Sequence, residues 1–180
     1  RSVYNSMTSR LLVDKIEGKT TSGNIQMPAG HIVQTQTAQA LTTTSISSTT
    51  FADVTGMSIS FTSKFSSSKL LMIAQVHCYV ENSSSGTWLG VDFRFLEDST
   101  VIRSPVASGN GYGIAHAGGN DATTRIMDYA MFTHEHSSPD TSAHTYKLQV
   151  HTTEGKTPNA EINNNTYGGG GRLIIMEIAQ

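Results

Sequence analysis

The chain is poor in cysteine and in charged residues. Its 180 residues include one cysteine, Cys78, so no internal disulfide can form and the fold must depend on packing and hydrogen bonds. Charged residues make up 14% of the chain, whereas ordinary soluble proteins have roughly 25%. Instead, 22 serines and 23 threonines form a quarter of the chain. Hydroxyl groups rather than charges therefore keep the protein in solution.

Long apolar runs and concentrated charge are also missing. The longest purely apolar run, from Leu70 to Ala74, is far shorter than the ~20 residues of a membrane-spanning helix, so we expect no membrane insertion. The net charge is −2 and the basic residues are scattered, which argues against nucleic acid as a partner. Residues 1–19 lack the apolar core of a signal peptide, so we expect synthesis in the cytoplasm without conventional secretion.

Short alternating runs predict an all-β fold. Met57, Ile59 and Phe61 alternate with hydroxyl residues, so they share one face of a strand. The same alternation predicts a strand from Tyr146 to His151. Residues 70–80 are almost continuously apolar, which predicts a central strand covered on both faces.

About eight strands are predicted in all, and this number favours a jelly-roll-like antiparallel β-sandwich. The other predicted strands are Phe51 to Val54, Val91 to Phe95, Val101 to Arg103, Arg125 to Thr133 and Arg172 to Ala179.

The first part of the chain has a different composition. Residues 1–44 show no sustained helical or strand periodicity and are rich in threonine and glutamine. We therefore predict an extended N-terminal arm over residues 1–44 and a sandwich domain over residues 45–180. The arm has four apolar residues that could anchor it on another chain, since an isolated arm cannot bury them itself. These anchoring residues are Leu11, Leu12, Val13 and Ile16.

The motifs of common enzymes are absent from the sequence. A nucleophilic serine usually lies in a Gly-x-Ser-x-Gly turn, and no such pentapeptide occurs. Glu97 and Asp98 are adjacent, so they point to opposite faces of a strand or lie in a turn, and neither arrangement suits a glycosidase acid pair. We therefore expect no catalytic residues and no enzymatic activity, with a carbohydrate-active enzyme as the remote alternative.

One histidine pair could bind a metal ion. His134 and His136 are two residues apart, so on a strand both side chains point to the same side. In a threefold assembly the pair would recur three times around the axis and supply six imidazole ligands, an octahedral site for a transition metal. The alternative is that both are exposed histidines at the edge of a loop, with no cofactor or metal at all.

Two aromatic residues are candidates for contact with a ligand. Trp88 follows a serine-rich loop and Tyr112 lies in a glycine-rich loop, so both rings could face a ligand such as a sugar ring. The alternative for Trp88 is that it caps the core of the sandwich, because tryptophan is buried on average in most proteins.

Three segments resemble a known family. Residues 12–34 read LVDKIEGKTTSGNIQMPAGHIVQ, residues 45–60 read SISSTTFADVTGMSIS, and residues 173–179 read LIIMEIA. These are similar to the arm, the opening strands and the closing strand of the C-terminal domain in fibre-like virion proteins of tailed bacteriophages, notably those of cyanobacteria and other marine bacteria. The resemblance implies a trimeric jelly roll of the tumour-necrosis-factor-like kind at a particle surface, commonly serving host attachment.

The resemblance leaves the position on the particle open. Tail fibres of this family usually have a long repetitive shaft before the domain, and residues 1–11 contain none. We therefore favour a homotrimeric capsid decoration protein or head fibre, fixed to other virion proteins by its arm on the virion surface. The alternative is a short tail fibre or receptor-binding tip that recognises host surface glycans. A secreted lectin-like module is disfavoured by the expected lack of a signal peptide.

Overall fold

The computed structural model describes residues 28–82, 87–104, 115–119, 124–137, 140–153 and 160–180, which form strands and one short 3-10 helix. The strands are β1 (Ile32–Ala40), β2 (Thr44–Ile46), β3 (Ala52–Thr62), β4 (Lys69–Asn82), β5 (Thr87–Glu97), β6 (Thr100–Arg103), β7 (Ala115–Gly119), β8 (Thr124–Ser137), β9 (Ala143–Thr152), β10 (Ala160–Ile162) and β11 (Gly171–Ile178), and the helix is η1 (Asn165–Tyr167). Within these ranges no helix is long and apolar enough to cross a membrane.

The strands form two antiparallel sheets. In the six-stranded sheet, β8 pairs along the whole of one edge of β4, while β11 and β10 share the other edge, with β1 outside β11 and β2 outside β10. In the five-stranded sheet the order is β3-β9-β5, and β6 and β7 share the far edge of β5. The predicted all-β antiparallel sandwich is confirmed.

The core lies between the two sheets and follows the alternation of the sequence. In β3, Met57, Ile59 and Phe61 are buried while Ser58 and Ser60 are exposed, as predicted. Strands β5 and β9 contribute the next layer of the same cluster, because every second side chain of a strand points to one face. The buried residues of these two strands are Val91, Phe93, Phe95, Tyr146, Leu148 and Val150.

The central strand was predicted to be covered on both faces, and this is wrong for half of its length. The inward face of β4 is fully buried and consists of Leu70, Met72, Ala74, Val76, Cys78 and Val80. On the outward face, Leu71 and Ile73 are only half-buried and Gln75 is exposed, because no described element lies over them. Burial raises the pKa of Cys78 to about 12, so its thiol is not a reactive nucleophile.

The predicted boundary of the arm at residue 44 needs correction. Residues 32–40 form β1, which pairs antiparallel with β11 from Ile178 to Gly171, so the sandwich already includes them. The polar residues of β1 concealed this, since Thr35, Thr37 and Gln39 are exposed. An edge strand can be held by backbone hydrogen bonds on one side and needs few apolar residues.

The two predicted strands before residue 62 form one strand. β3 is continuous, but its register with β9 is irregular between Asp53 and Ser58. Gly56 lies at this bulge with φ +79°, and a Cβ atom there would lie 3.2 Å from Ala40 Cα. A glycine is required because the backbone has a left-handed conformation and β1 passes close to it.

Glu177 is the one acidic residue of the last strand, and it is fully buried. Its carboxylate accepts backbone hydrogen bonds from Lys64 (2.9 Å) and Phe65 (3.0 Å), and a side-chain hydrogen bond from Gln34 (2.7 Å). A buried carboxylate is tolerated when its oxygens are satisfied in this way. Through these hydrogen bonds Glu177 stabilises the turn between β3 and β4 against the six-stranded sheet.

Candidate functional site

The outer face of the six-stranded sheet exposes large apolar side chains. Three of them lie on β8, where Met131 is 70%, Met127 56% and Tyr129 51% exposed. Their register partners on β4 are Tyr79, His77 and Gln75, and half-buried apolar side chains of β4 and β11 follow in the next two rows. We call this surface the apolar face, and its residues are Leu71, Ile73, Met127, Tyr129, Met131, Ile174 and Met176. Contiguous apolar surface of this kind is uncommon on a protein that functions as a monomer.

Strand register brings these residues into neighbouring rows. Ile73 of β4 pairs with Ile174 of β11 on one side and with Thr133 of β8 on the other. In the adjacent row, Leu71 pairs with Met176 on one side and with Glu135 on the other. Because paired residues in adjacent strands point to the same side of a sheet, these two rows adjoin, and the next row holds Met131 together with Gln75 and Arg172.

Charged groups at the border of the apolar face are paired with one another. Lys69 forms an ion pair with Glu135 at one end of the sheet. At the other end, Arg125 donates to Glu81 at 2.8 Å, and Tyr79 donates to the same carboxylate at 2.6 Å. The hydrogen bond to Glu81 raises the pKa of Tyr79 to about 12, so the phenol stays neutral. Within these two ion pairs the opposite charges therefore cancel.

A depression lies at the end of the apolar face where the chain enters β11. It holds about 440 Å³. The lining side chains are Gln39, Leu41, Gln75, Tyr129 and Arg172, and the backbone of Gly168 to Gly171 forms the remaining wall. Arg172 forms no salt bridge with any described residue, in contrast to the cations at the border of the face.

The glycine wall is held in one conformation by its neighbours. Asn164 accepts hydrogen bonds from the backbone of Thr166 and Tyr167 through its side chain, and its carbonyl accepts one from Gly169 at 2.8 Å. A Cβ atom on Gly169 would lie 2.5 Å from the ring of His77. The turn therefore packs directly against the ring of His77, which is buried. This burial lowers the pKa of the imidazole.

A cluster of histidines and carboxylates lies at the opposite end of the sandwich. His144 donates through Nδ1 to Asp98 at 2.8 Å and through Nε2 to Asp140 at 3.1 Å. These hydrogen bonds raise the pKa of His144. Asp98 has φ +53°, and this turn brings it to the same histidine as Glu97, whose Oε1 lies 3.8 Å from His144 Nδ1. The two adjacent acids thus lie at a turn, which is one of the two arrangements that the sequence predicts.

Glu97 links this cluster to β8. Its carboxylate lies 3.3 Å from His136 Nε2 and accepts the hydroxyl of Tyr146 at 2.7 Å. Burial and this hydrogen bond to Glu97 raise the pKa of Tyr146. Both oxygens of Glu97 already have a partner, so the arrangement stabilises this end of the sandwich.

The predicted metal-binding pair lies on one side of a strand. His134 and His136 are within β8, not at the edge of a loop, and their ring centroids are 5.9 Å apart. Burial and the neighbouring His136 lower the pKa of His134, which keeps this imidazole neutral at physiological pH, the form that binds metals. Among the described residues, no group of three metal-ligating side chains is positioned around one point. A site completed by other copies of the chain stays a prediction.

The remaining predicted residues fall partly outside the described ranges. The arm residues lie there, namely Leu11, Leu12, Val13 and Ile16, and so does Tyr112. Trp88 belongs to β5, where it pairs with Gly118 of β7, so its backbone forms a strand and not the predicted loop.

Sequence reasoning did not find the residues around the depression. Gln39, Gln75 and Arg172 are distant in the chain, and only the pairing of β1, β11 and β4 puts them in one row. The run Gly168 to Gly171 marks a turn in the sequence, but it does not indicate what the turn covers. The exposed Met127, Tyr129 and Met131 do alternate along β8, and that alternation is a signal the sequence contains.

Comparisons with known proteins leave the family open. No protein-family model and no curated protein sequence matches this chain. Among solved structures, the chain is similar to the dimeric latent PorU of Porphyromonas gingivalis, with 12% identity and a TM-score of 0.39. The match covers 81% of this chain and 13% of that protein. A likeness of this size carries no argument about function.

Proposed function

We propose that the protein is a non-enzymatic structural protein of a bacteriophage virion surface, assembled as a homotrimer through the apolar face. The observation that carries the assembly is the exposure of Met127, Tyr129 and Met131 on the same face as the half-buried apolar residues of β4 and β11. Leaving such a surface in water is unfavourable by ~25 cal/mol for each Å². A partner that covers it recovers this free energy.

A second copy of the same chain suits this face. The rows at its centre contain one acidic side chain, Glu135, which pairs with Lys69, and at the other border Arg125 pairs with Glu81. Copies can therefore approach without bringing unpaired like charges together, except at Arg172. In addition, no described strand pairs with the outer edge of β8, and association that covers this edge prevents uncontrolled pairing. The number three comes from the resemblance to trimeric phage fibre domains.

The assignment to a virion comes from the three sequence segments that resemble phage fibre proteins, at residues 12–34, 45–60 and 173–179. Within this class we favour a capsid decoration protein or head fibre, fixed to other virion proteins by the apolar residues Leu11, Leu12, Val13 and Ile16. In a trimer that uses the apolar face, His134 and His136 point away from the contact, because they share the inward face of β8 with Phe132. A metal ion on the trimer axis is therefore not included in the proposal.

The assembly is tested by the mass of the full chain in solution. We expect sedimentation velocity and native mass spectrometry at micromolar concentration to give three times the mass of 19.3 kDa. A monomer under these conditions would contradict the trimer. A dimer would keep the apolar face as the contact but reject the threefold arrangement.

The position on the particle is tested by the number of copies per virion, measured by quantitative mass spectrometry relative to the major capsid protein. Hundreds of copies are expected for capsid decoration, whereas a few to a few dozen indicate a tail or vertex fibre. Absence of the chain from purified particles would reject the virion assignment.

A further inference from the structure

The depression beside Arg172 has the size and the composition of a small-molecule site. Its volume of about 440 Å³ lies within the ~300–1,000 Å³ of typical ligand pockets. One cation lines it, and no acidic side chain does. The depression therefore carries a single positive charge that none of the described side chains neutralises.

The polar groups of the depression form a row across three strands. Arg172 of β11 has Gln39 of β1 as its register partner on one side and Gln75 of β4 on the other. A guanidinium group binds a carboxylate through two parallel hydrogen bonds. The two amides each supply a donor and an acceptor, which is also what a sugar hydroxyl needs. One carboxylate and several hydroxyls thus match this row.

The other walls provide an aromatic ring and a rigid backbone. Tyr129 is half-exposed, and its ring is fixed against His77 with a centroid distance of 5.3 Å. Gly169 lies too close to His77 for any side chain, so this wall is backbone only. The turn is already ordered by Asn164. A ligand would therefore lose little binding free energy to ordering the site.

We propose that this depression binds a carboxylated sugar, such as one uronic acid residue of an acidic polysaccharide. The carboxylate pairs with Arg172, the neighbouring hydroxyls bind Gln39 and Gln75, and the ring lies against Tyr129. A phosphate group is a poorer match because a single arginine leaves part of its charge unpaired. An acidic peptide is also a poorer match, since its carboxylate would bring few hydroxyls to the two amides.

This inference goes beyond the structural role proposed above and adds a binding activity at the particle surface. It requires that Arg172, Gln75 and the ring of Tyr129, which lies at the border between the apolar face and the depression, remain accessible after assembly. Saccharide binding and assembled mass are therefore measured on the same samples, so that failure of the site and failure of the trimer are distinguished.

The experiment titrates the full chain with trimers of galacturonate, glucuronate and mannuronate by isothermal calorimetry. The matched ligands are the methyl esters, which keep the ring and lose only the charge. We expect at least one uronate trimer to bind, with its ester weaker by about tenfold or more, as for the loss of one charge-assisted bidentate contact. No binding by any of the three acids would overturn the inference, as would equal binding of acid and ester.

Two variants then test whether Arg172 binds the uronate. Arg172→Gln should weaken uronate binding by about tenfold or more while the assembled mass stays the same. Arg125→Gln is the matched control, because Arg125 lies on the same sheet outside the depression and should leave binding unchanged. If Arg172→Gln instead dissociates the assembly, Arg172 belongs to the subunit contact and the site is wrong. If an acidic peptide binds as tightly as the uronate and depends equally on Arg172, the assignment to a sugar is wrong.

Discussion

The two sheets share the same alternation of buried and exposed residues, but their outer faces differ in polarity. On the five-stranded sheet, Arg94 donates to Gln149, Gln149 donates to Asp53, and Lys147 donates to the same aspartate, all within 2.6–2.8 Å. Phe51 covers the Arg94 guanidinium at 4.0 Å. On the six-stranded sheet, the corresponding positions in the centre are mostly leucine, isoleucine and methionine, with Gln75 and Arg172 in one row. The first face satisfies its polar groups by itself and suits contact with water, whereas the second leaves apolar surface that suits contact with protein.

The largest expected effect comes from a charge on the apolar face. Met131→Glu places a carboxylate on the most exposed apolar side chain of that face, and symmetric assembly would bury several copies of it. Because burying unpaired like charges costs several kcal/mol, we expect association to weaken by about 100-fold or more, giving a monomer at micromolar concentration. Sedimentation velocity measures this directly.

The control for that variant is Ser60→Glu. Ser60 is exposed on β3 of the five-stranded sheet, opposite Thr145 of β9. It adds the same charge to the face that we assign to water, so the assembled mass should not change. If both variants dissociate the protein equally, net charge explains the result and the assignment of separate roles to the two faces fails.

A smaller effect is expected at the glycine turn that covers one end of the six-stranded sheet. Gly169→Ala forces a methyl group against the buried ring of His77, and such overpacking costs about 1–3 kcal/mol in the free energy of unfolding. Gly170→Ala is the matched control, since its Cβ would meet only ordinary contacts with Leu41 and Ala40, at 3.4 and 3.5 Å. Urea unfolding compares the two variants, and equal stability would show that the turn does not pack on His77 as described.

On the five-stranded sheet, removal of a carboxylate should have a modest effect. Burial acts to raise the pKa of Asp53, but hydrogen bonds from Lys147 and Gln149 outweigh it and lower the pKa. Asp53 is half-exposed, so Asp53→Ala should cost about 0.5–1 kcal/mol, and less in 1 M salt because exposed charges are screened. Ser58→Ala, which removes a polar group paired with Lys147 in the register, should leave the unfolding midpoint unchanged. A loss that is independent of salt would reject the ionic explanation.

The sequence was informative where alternation is local and uninformative where neighbours are distant in the chain. The pattern of Met57, Ile59 and Phe61 correctly predicted the buried face of β3, because strand geometry alone decides which side chains share a face. It could not reveal that β1 joins the sheet, since that strand is held by backbone pairing with β11. The row of Gln39, Arg172 and Gln75 was missed for the same reason: it exists only after three distant strands have paired.

The smallest expected effect is a pH dependence at the end of the sandwich where the two sheets meet. Hydrogen bonds to Asp98 and Asp140 raise the pKa of His144, and Glu97 adds to this. A histidine whose folded pKa exceeds its unfolded value of 6.5 contributes stability that is complete below 6.5 and is lost as the pH rises through the folded pKa. Because solvent screens this exposed cluster, we expect His144→Gln to lower the free energy of unfolding by about a few tenths of a kcal/mol near pH 6. The loss should be smaller near pH 8.5.

The quantity to compare is the difference in unfolding free energy between wild type and His144→Gln, because other histidines change stability with pH in the opposite direction. Burial lowers the pKa of His77 and His134, so their contributions are lost as the pH falls. Subtracting the unfolding free energies of wild type and variant removes the contributions of His77 and His134. A difference between the two proteins that grows with pH would contradict the assigned hydrogen bonds of His144. Association should not change over the same range, since no histidine is among the residues of the apolar face. Parallel changes in association and in stability would mean that the end cluster, and not the apolar face alone, holds the subunits together.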